Sequence, residues 1–416
     1  MRLKKREVCF ISLLIAILFL IESCNNDISL KGELVNSYGG YSRNNSFEEY
    51  GDFFRQMYFV DSYDSVDAGG AIAPLLVLSS YEIVFPTVNG NIILIDNKIV
   101  KWKVQLDSNS VVAAAMAADR KQNIFAIDNK GVLYSFSIKG KLRWKEKVVD
   151  ITDTDIVVFS DLLAVNDGVI IASSDGLLFK YSYDGKKLWE KNLGLAVTKY
   201  FPADNDGNIA IPLTHNLFGK TDTLLFLDSE GKTIWKKSFS NTRIIKPPVI
   251  SKNRIYLNCI KVIDDSKLPL IYCLNTKGNV LWKKEIALTA RFSSVDIEGR
   301  VYISAFNGGF GKPVSMIAVI DSSGKIVWDK YFEVTIPAPI LIGEKIIAFV
   351  GVDNEACGIY FMSKKGILEN VVSLSEAPVI NLEPIVTPGN NILFGGTEKM
   401  EIVRIDETPM KKIIPW

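Results

Sequence analysis

Histidine is almost missing: the 416-residue chain has one, His215. That excludes histidine-rich metal centres and leaves an imidazole proton relay without a second member. Charge of one sign is missing too, because 48 Lys and Arg nearly cancel 47 Asp and Glu. Without a basic field, nucleic acid is not an expected partner. No two cysteines are adjacent, no zinc-ligand spacing occurs, and no glycine loop leads from a strand into a helix to cradle phosphate. No Ser–His–Asp order can be drawn. His215, in a polar loop with no cysteine or second histidine near it, reads as a solvent or packing residue.

What the chain has is apolar residues, 48% of the total against 23% charged, with glycine and proline spread throughout. That is the composition of a folded protein with a large core.

The first residues stand apart. Arg2, Lys4, Lys5 and Arg6 form a positive segment, and Val8 to Ile21 form an apolar run short for a membrane-spanning helix. Together they read as an export signal. The sequence Ile21-Glu22-Ser23-Cys24 then resembles the lipobox of bacterial lipoproteins, in which the cysteine is acylated and becomes the N-terminus. Glu22 departs from that pattern, where a small or apolar residue is usual. The expectation is a signal peptide over 1–23, acylation at Cys24, and a tether and lead-in over 24–55. An uncleaved signal anchor is the alternative.

Beyond the signal lie Cys259, Cys273 and Cys357. Cys259 and Cys273 flank the turn-like Asp264-Asp265-Ser266-Lys267 almost symmetrically, so a hairpin there would bring them across two strands. They are a candidate disulfide in an exported protein; three buried free thiols are the alternative.

Internal repetition decides the architecture. Five segments share one pattern: Gly140 to Trp144, Gly185 to Trp189, Gly231 to Trp235, Gly278 to Trp282 and Gly324 to Trp328. Their tryptophans are 45, 46, 47 and 46 residues apart. Trp102 ends a weaker copy, and another begins at Gly366 with Asn370 in the tryptophan place. An apolar run precedes each pattern, as in Thr223 to Gly231 or Met316 to Gly324. Each reads as a strand, a tight turn opened by Asp or Asn and closed by Gly, and a second strand with the tryptophan. Turn aspartates such as Asp96, Asp228 and Asp321 are therefore expected to be architectural acceptors, not acids for catalysis. Two further apolar runs precede each hairpin, giving four strands per unit. Unit starts fall near Ala73, Val112, Thr154, Tyr200, Pro247, Phe292, Pro337 and Pro384. The expected fold is all-β: an eight-bladed β-propeller of four-stranded antiparallel blades over 56–416, with seven blades as the alternative. Lysines after the tryptophans, such as Lys103, Lys145, Lys236 and Lys283, would blunt an exposed outer edge.

The hydrophobic-hydrophobic-Asp-x-x-Gly-x-x-x-Trp core resembles the repeat of the pyrroloquinoline-quinone (PQQ-like) propeller superfamily, over residues 73 to about 406. The resemblance implies that Trp102, Trp144, Trp189, Trp235, Trp282 and Trp328 pack between neighbouring blades. It also implies ring closure by a terminal strand, for which Gln56 to Tyr63 is the candidate, with Asn36 to Phe47 as lead-in. The cysteine pair, calcium-binding acids and tryptophan floor of quinoprotein dehydrogenases have no counterpart here, so no cofactor and no catalysis are expected. With the export signal, the chain resembles the BamB family of scaffold lipoproteins of outer-membrane β-barrel assembly.

Function would then reside in the loops. Links between second and third strands are short at Val88–Asn91, Asp128–Gly131 and Ser173–Gly176, and long at 212–223, 261–269, 305–313 and 351–358. Leu217, Phe218, Phe306 and Phe310 in the long links are expected either to form a protein-binding ridge or to fold back on the propeller. The expected biology is a monomeric propeller, held at the membrane by lipid alone, that binds protein partners in the cell envelope, at the outer membrane rather than the inner. A surface lipoprotein for external ligands and a reduced quinone-dependent dehydrogenase are the alternatives.

Overall fold

The computed structural model describes residues 73–374 apart from 80–81, 97–98, 152–156, 198–199, 215–220, 264–265, 308–313, 344 and 354–356, together with residue 31, 35–36, 58–64, 385–386, 392–395 and 399–405. Every regular element among them is a β-strand. They form eight antiparallel sheets, which follow the chain at 76–105, 117–147, 163–192, 196–239, 242–285, 289–332, 341–374 and 385–405. Six of the eight take their strands in chain order as a meander; the second and the eighth each add a strand from near the N-terminus.

Burial explains the sequence pattern within a sheet. The second strand of the third sheet, Gly168–Ala172, is buried at every position. Val169 and Ile171 pack towards the second sheet while Ile170 and Ala172 pack towards the fourth. A strand covered on both faces needs no polar alternation, so these runs read as continuous Val, Ile and Leu. The fourth strand is different. In Ile99–Gln105 exposed and half-buried residues alternate, and lysines stand on the open edge.

The six tryptophans lie on these fourth strands and join each sheet to the next. Trp144 Nε1 donates to the carbonyl of Tyr183 at 3.0 Å, Trp189 to Ser229 at 3.2 Å, and Trp282 to Ser322 at 3.1 Å. Trp102 and Trp328 do the same to Ile138 and Lys364, at 2.8 and 2.9 Å. Every acceptor sits in the turn between the third and fourth strands of the following sheet. That turn ends on a glycine of positive φ, which forms the bulge of the hairpin. At Gly140 the reason is twofold: φ is +76°, and a Cβ there would stand 2.7 Å from the Trp102 ring.

Asp228 and Asp321 open such turns. Asp228 Oδ1 accepts from the N–H of Glu230 and Lys232, and Asp321 Oδ1 from those of Ser323 and Lys325. Asp96 instead pairs with Lys101 at 2.9 Å.

Two N-terminal strands complete the assembly. Tyr58–Asp64 pairs antiparallel with Lys399–Ile405 and is the outermost strand of the eighth sheet. The closing strand therefore comes from the N-terminal side, within a residue or two of the expected 56–63. Val35–Asn36 pairs with Ala117–Ala118 as a fifth, innermost strand of the second sheet.

The cysteines correct one expectation. In the hairpin of the fifth sheet Cys259 stands opposite Leu270 and Cys273 opposite Tyr256. An offset of that parity sends the two side chains to opposite faces; Cys259 packs with the fourth sheet and Cys273 with the sixth. No disulfide joins them. Cys259, Cys273 and Cys357 are all free and buried.

Candidate functional site

The meander gives the molecule two different faces. Turns between strands one and two, and between three and four, share one of them. Their contacts run from sheet to sheet: Arg120 Nη2 donates to Asn166 Oδ1 at 3.1 Å, and Asn166 Nδ2 to the Asn205 carbonyl at 3.2 Å. We term this the turn face. Links between strands two and three, and connectors from one sheet to the next, share the opposite loop face. In the first three sheets it is flat, because Gly90, Gly131 and Gly176 let the connectors lie directly on the turns; a Cβ on Gly131 would be 2.5 Å from the Val149 carbonyl oxygen.

In sheets five and six, strand replaces part of the loop that was expected on this face. The link placed at 261–269 is an extension of two ten-residue strands, Arg254–Ile263 and Ser266–Asn275, that leaves Ile263 exposed. The link placed at 305–313 begins later, because the second strand of sheet six continues to Asn307. Phe306 is thus a strand residue, paired with Thr289 and Ser315, not a loop tip. It is half-buried, and the Arg291 guanidinium lies over its ring at 4.8 Å. Leu217, Phe218, Phe310 and His215 fall outside the described residues.

A cationic corner lies across sheets four to six, and sequence reasoning missed it. Arg243 Nε pairs with Asp222 Oδ2 at 3.1 Å, and the backbone N–H of Ile244 donates to the same oxygen at 2.8 Å. Asp222 is 1% exposed, and among the described residues its Oδ1 has no hydrogen-bond partner. Lys246 Nζ lies 4.9 Å from the centroid of the Phe292 ring. Arg243, Lys246 and Arg291 all sit at the entrances of inner strands, where a connector joins its sheet. The innermost strand of sheet five is broken here, ending at Ile244 and resuming at Val249 across Pro247-Pro248, which offer no N–H to a ladder. Arg291 stands at the register shift between Ala290 and Phe292. Only the prolines were a visible signal; a bulge has no clear mark in sequence.

A second polar cluster spans the flat half. Tyr134 donates towards Asp128 Oδ2 at 3.0 Å and Asp107 Oδ2 at 3.2 Å, and Asp107 pairs with Lys145 at 2.7 Å. The bond from Lys145, then that from Tyr134, holds the Asp107 carboxyl below its ordinary value, while burial and the two carboxylates push the tyrosine hydroxyl up. Burial also pushes the thiols up, Cys273 to about 11 and Cys259 further. Such thiols stay protonated and unreactive near neutrality. Among the described residues no group of three or more His, Cys, Asp or Glu gathers to hold a metal ion. The arrangement offers half-buried cations backed by aromatic rings, beside an extended hairpin that exposes Ile263.

No protein-family model matches the chain, and no curated protein matches it in sequence. Solved structures do. That of BamB from Moraxella catarrhalis superposes with a TM-score of 0.61 at 13% identity, over 85% of this chain and 100% of that one. The C-terminal WD40 domain of Sif2 gives 0.59 at 12% identity, over 83% and 99%. The Dos1 propeller gives 0.55 at 11%, over 86% and 96%. The fold is a β-propeller. Its sheets are blades, their first strands line a central channel, and the tryptophan strands form the rim. At these identities the likeness establishes architecture and leaves function to the surface.

Proposed function

We propose that this propeller is exported, acylated at Cys24, and acts without catalysis as a scaffold that holds other proteins of the cell envelope. The observation that carries the reading is the uneven loop face: three flat blades beside a fifth that extends a hairpin of two ten-residue strands, with Arg243, Lys246 and Arg291 gathered next to Phe292 and Phe306. Aromatic and arginine side chains are the types that anchor protein interfaces. The export signal and the lipobox-like Ile21 to Cys24 support the envelope placement. The sequence resemblance to BamB-type lipoproteins supports a role in outer-membrane protein assembly. In this reading Leu217, Phe218 and Phe310 extend the partner surface, while Phe306 supports Arg291.

The test is a pull-down of lipidated protein from detergent-solubilised membranes, with partners identified by mass spectrometry and repeated with Leu217→Ala, Phe218→Ala and Phe310→Ala combined. Recovery of an outer-membrane assembly protein, lost in the triple variant, is the expected result. A blank with the unaltered chain would sink the scaffold reading in favour of a surface binder of external ligands.

A further inference from the structure

The short strand Val35–Asn36 is the innermost of the second blade and lies beside the first strands of the first and third, Leu76–Val77 and Leu163–Val165. It therefore runs inside the central channel. Its direction is fixed by its pairing, which is antiparallel, with Val35 opposite Ala118 and Asn36 opposite Ala117. Ala118 is the end of its strand that leads into the turn at Asp119, where Asp119 Oδ1 accepts from the N–H of Lys121 and Asn123. That turn belongs to the turn face. Val35 is consequently the end of the strand nearer the turn face, and the chain runs from there towards the loop face.

We infer that the N-terminal arm enters the propeller through the turn-face mouth of the channel, so that the turn face meets the membrane and the loop face points away from it. The inference rests on the proposed acylation of Cys24. Fully extended, the stretch from Cys24 to Val35 spans at most about 40 Å. An acyl chain at Cys24 thus holds the turn face within that distance of the bilayer, and the body of the propeller separates the cationic corner from the lipid.

An independent observation agrees with this orientation. Six successive blades present an exposed lysine at the turn between third and fourth strands: Lys139, Lys186, Lys232, Lys277, Lys325 and Lys365. The aspartates that open two of those turns, Asp228 and Asp321, already accept turn N–H groups. Lys232 is paired with Glu230 at 2.7 Å. Lysines repeated around one face, interspersed there with the exposed Asp184 and Glu298, can reach an anionic headgroup layer.

The experiment uses full-length lipidated protein in vesicles of phosphatidylethanolamine and phosphatidylglycerol that carry a nitroxide quencher on the headgroup. Single variants Lys139→Cys and Lys186→Cys report the turn face, and Val88→Cys and Asp150→Cys the loop face, each with a thiol-reactive fluorophore. The buried Cys259, Cys273 and Cys357 stay unlabelled. Turn-face labels are expected to be quenched at least threefold more than loop-face labels. Equal or reversed quenching, on protein whose intact mass shows the acyl groups, would overturn the orientation alone. Protein without acyl mass would overturn the anchor and the orientation with it.

Discussion

Trp235 and Gly278 meet across the boundary between the fourth and fifth blades. The ring lies so close that a Cβ on Gly278, where φ is +82°, would stand 3.0 Å from Trp235 Cδ2, while the indole N–H donates to the Thr276 carbonyl at 2.7 Å. Trp235 also stacks on Phe226 of its own blade at 5.2 Å between centroids. Trp235→Ala is expected to destabilise by about 3–5 kcal/mol, and Trp235→Phe, which keeps most of the packing but loses the donor, by about 1–2 kcal/mol. Gly278→Ala strains both backbone and ring contact and should cost about 1–3 kcal/mol. Urea midpoints of the three variants test this order; a Trp235→Phe protein as unstable as Trp235→Ala would show that the bond, not the ring, dominates.

Lys180 supplies a second test. Its side chain is 1% exposed, where the matching positions of other blades hold Phe226, Cys273 and Val319, and its Nζ is 2.6 Å from Asp167 and 2.8 Å from the Ser229 carbonyl. Asp167 is 59% exposed. Removing the cation leaves a carboxylate that water can solvate, whereas removing the carboxylate leaves a buried ammonium short of its counter-charge. Asp167→Asn should therefore be more destabilising than Lys180→Met, by about 1–3 kcal/mol. Thermal unfolding of both variants decides, and the reverse order would refute the argument.

Alkali should loosen the fold through its thiols. Cys273 is pushed up to about 11 by burial, from an ordinary value of 9.0, and Cys259 moves the same way. Between those values the unfolded chain has lost a proton that the folded chain keeps, so the unfolded state binds fewer protons and stability falls as pH rises. The contribution is whole below about pH 9 and is lost on the way to pH 11. Urea titrations from pH 7 to pH 11 on the native chain and on Cys273→Ala should diverge in that window, the variant declining less. A thiol-titrating reagent at pH 8 should find none of the three cysteines until denaturant is added.

Ring closure can be probed with proline. Tyr58–Asp64 has a partner strand on one side only, so successive N–H groups point alternately to the ladder and away from it. Of Val60→Pro and Asp61→Pro, one should destabilise by about 1–3 kcal/mol and the other far less. Hydrogen exchange at Lys399–Ile405 reads the effect, and equal responses would argue against the register that sets Val60 opposite Val403.

The parts of this structure legible in the sequence are those governed by local rules. Glycine at a positive φ and a tryptophan four residues later mark a turn and an outer strand wherever they fall, so the hairpins around Gly185 and Gly324 could be placed to the residue. Partners remote in sequence could not. The side on which Cys259 projects depends on strand register, and two-residue symmetry about a turn says nothing of it. Strand length differs from the expectation for a similar reason: Lys261 to Leu268 looks loop-like because the described residues of this hairpin end are half-buried or exposed, where no core demands apolar faces. The corner of Arg243, Lys246 and Arg291 arises from a proline break and a bulge in adjacent blades, and neither the register shift nor the adjacency is visible in one dimension.

The pairing of Tyr58–Asp64 with Lys399–Ile405 sets an order in time. One strand precedes all the other strands of the eight sheets except Val35–Asn36 and the other follows some 340 residues later, so the ring cannot shut until Ile405 has been synthesised. A product cut short before Lys399 would keep most of its blades and still carry an open seam. Closure of the ring is thereby tied to the arrival of one late strand.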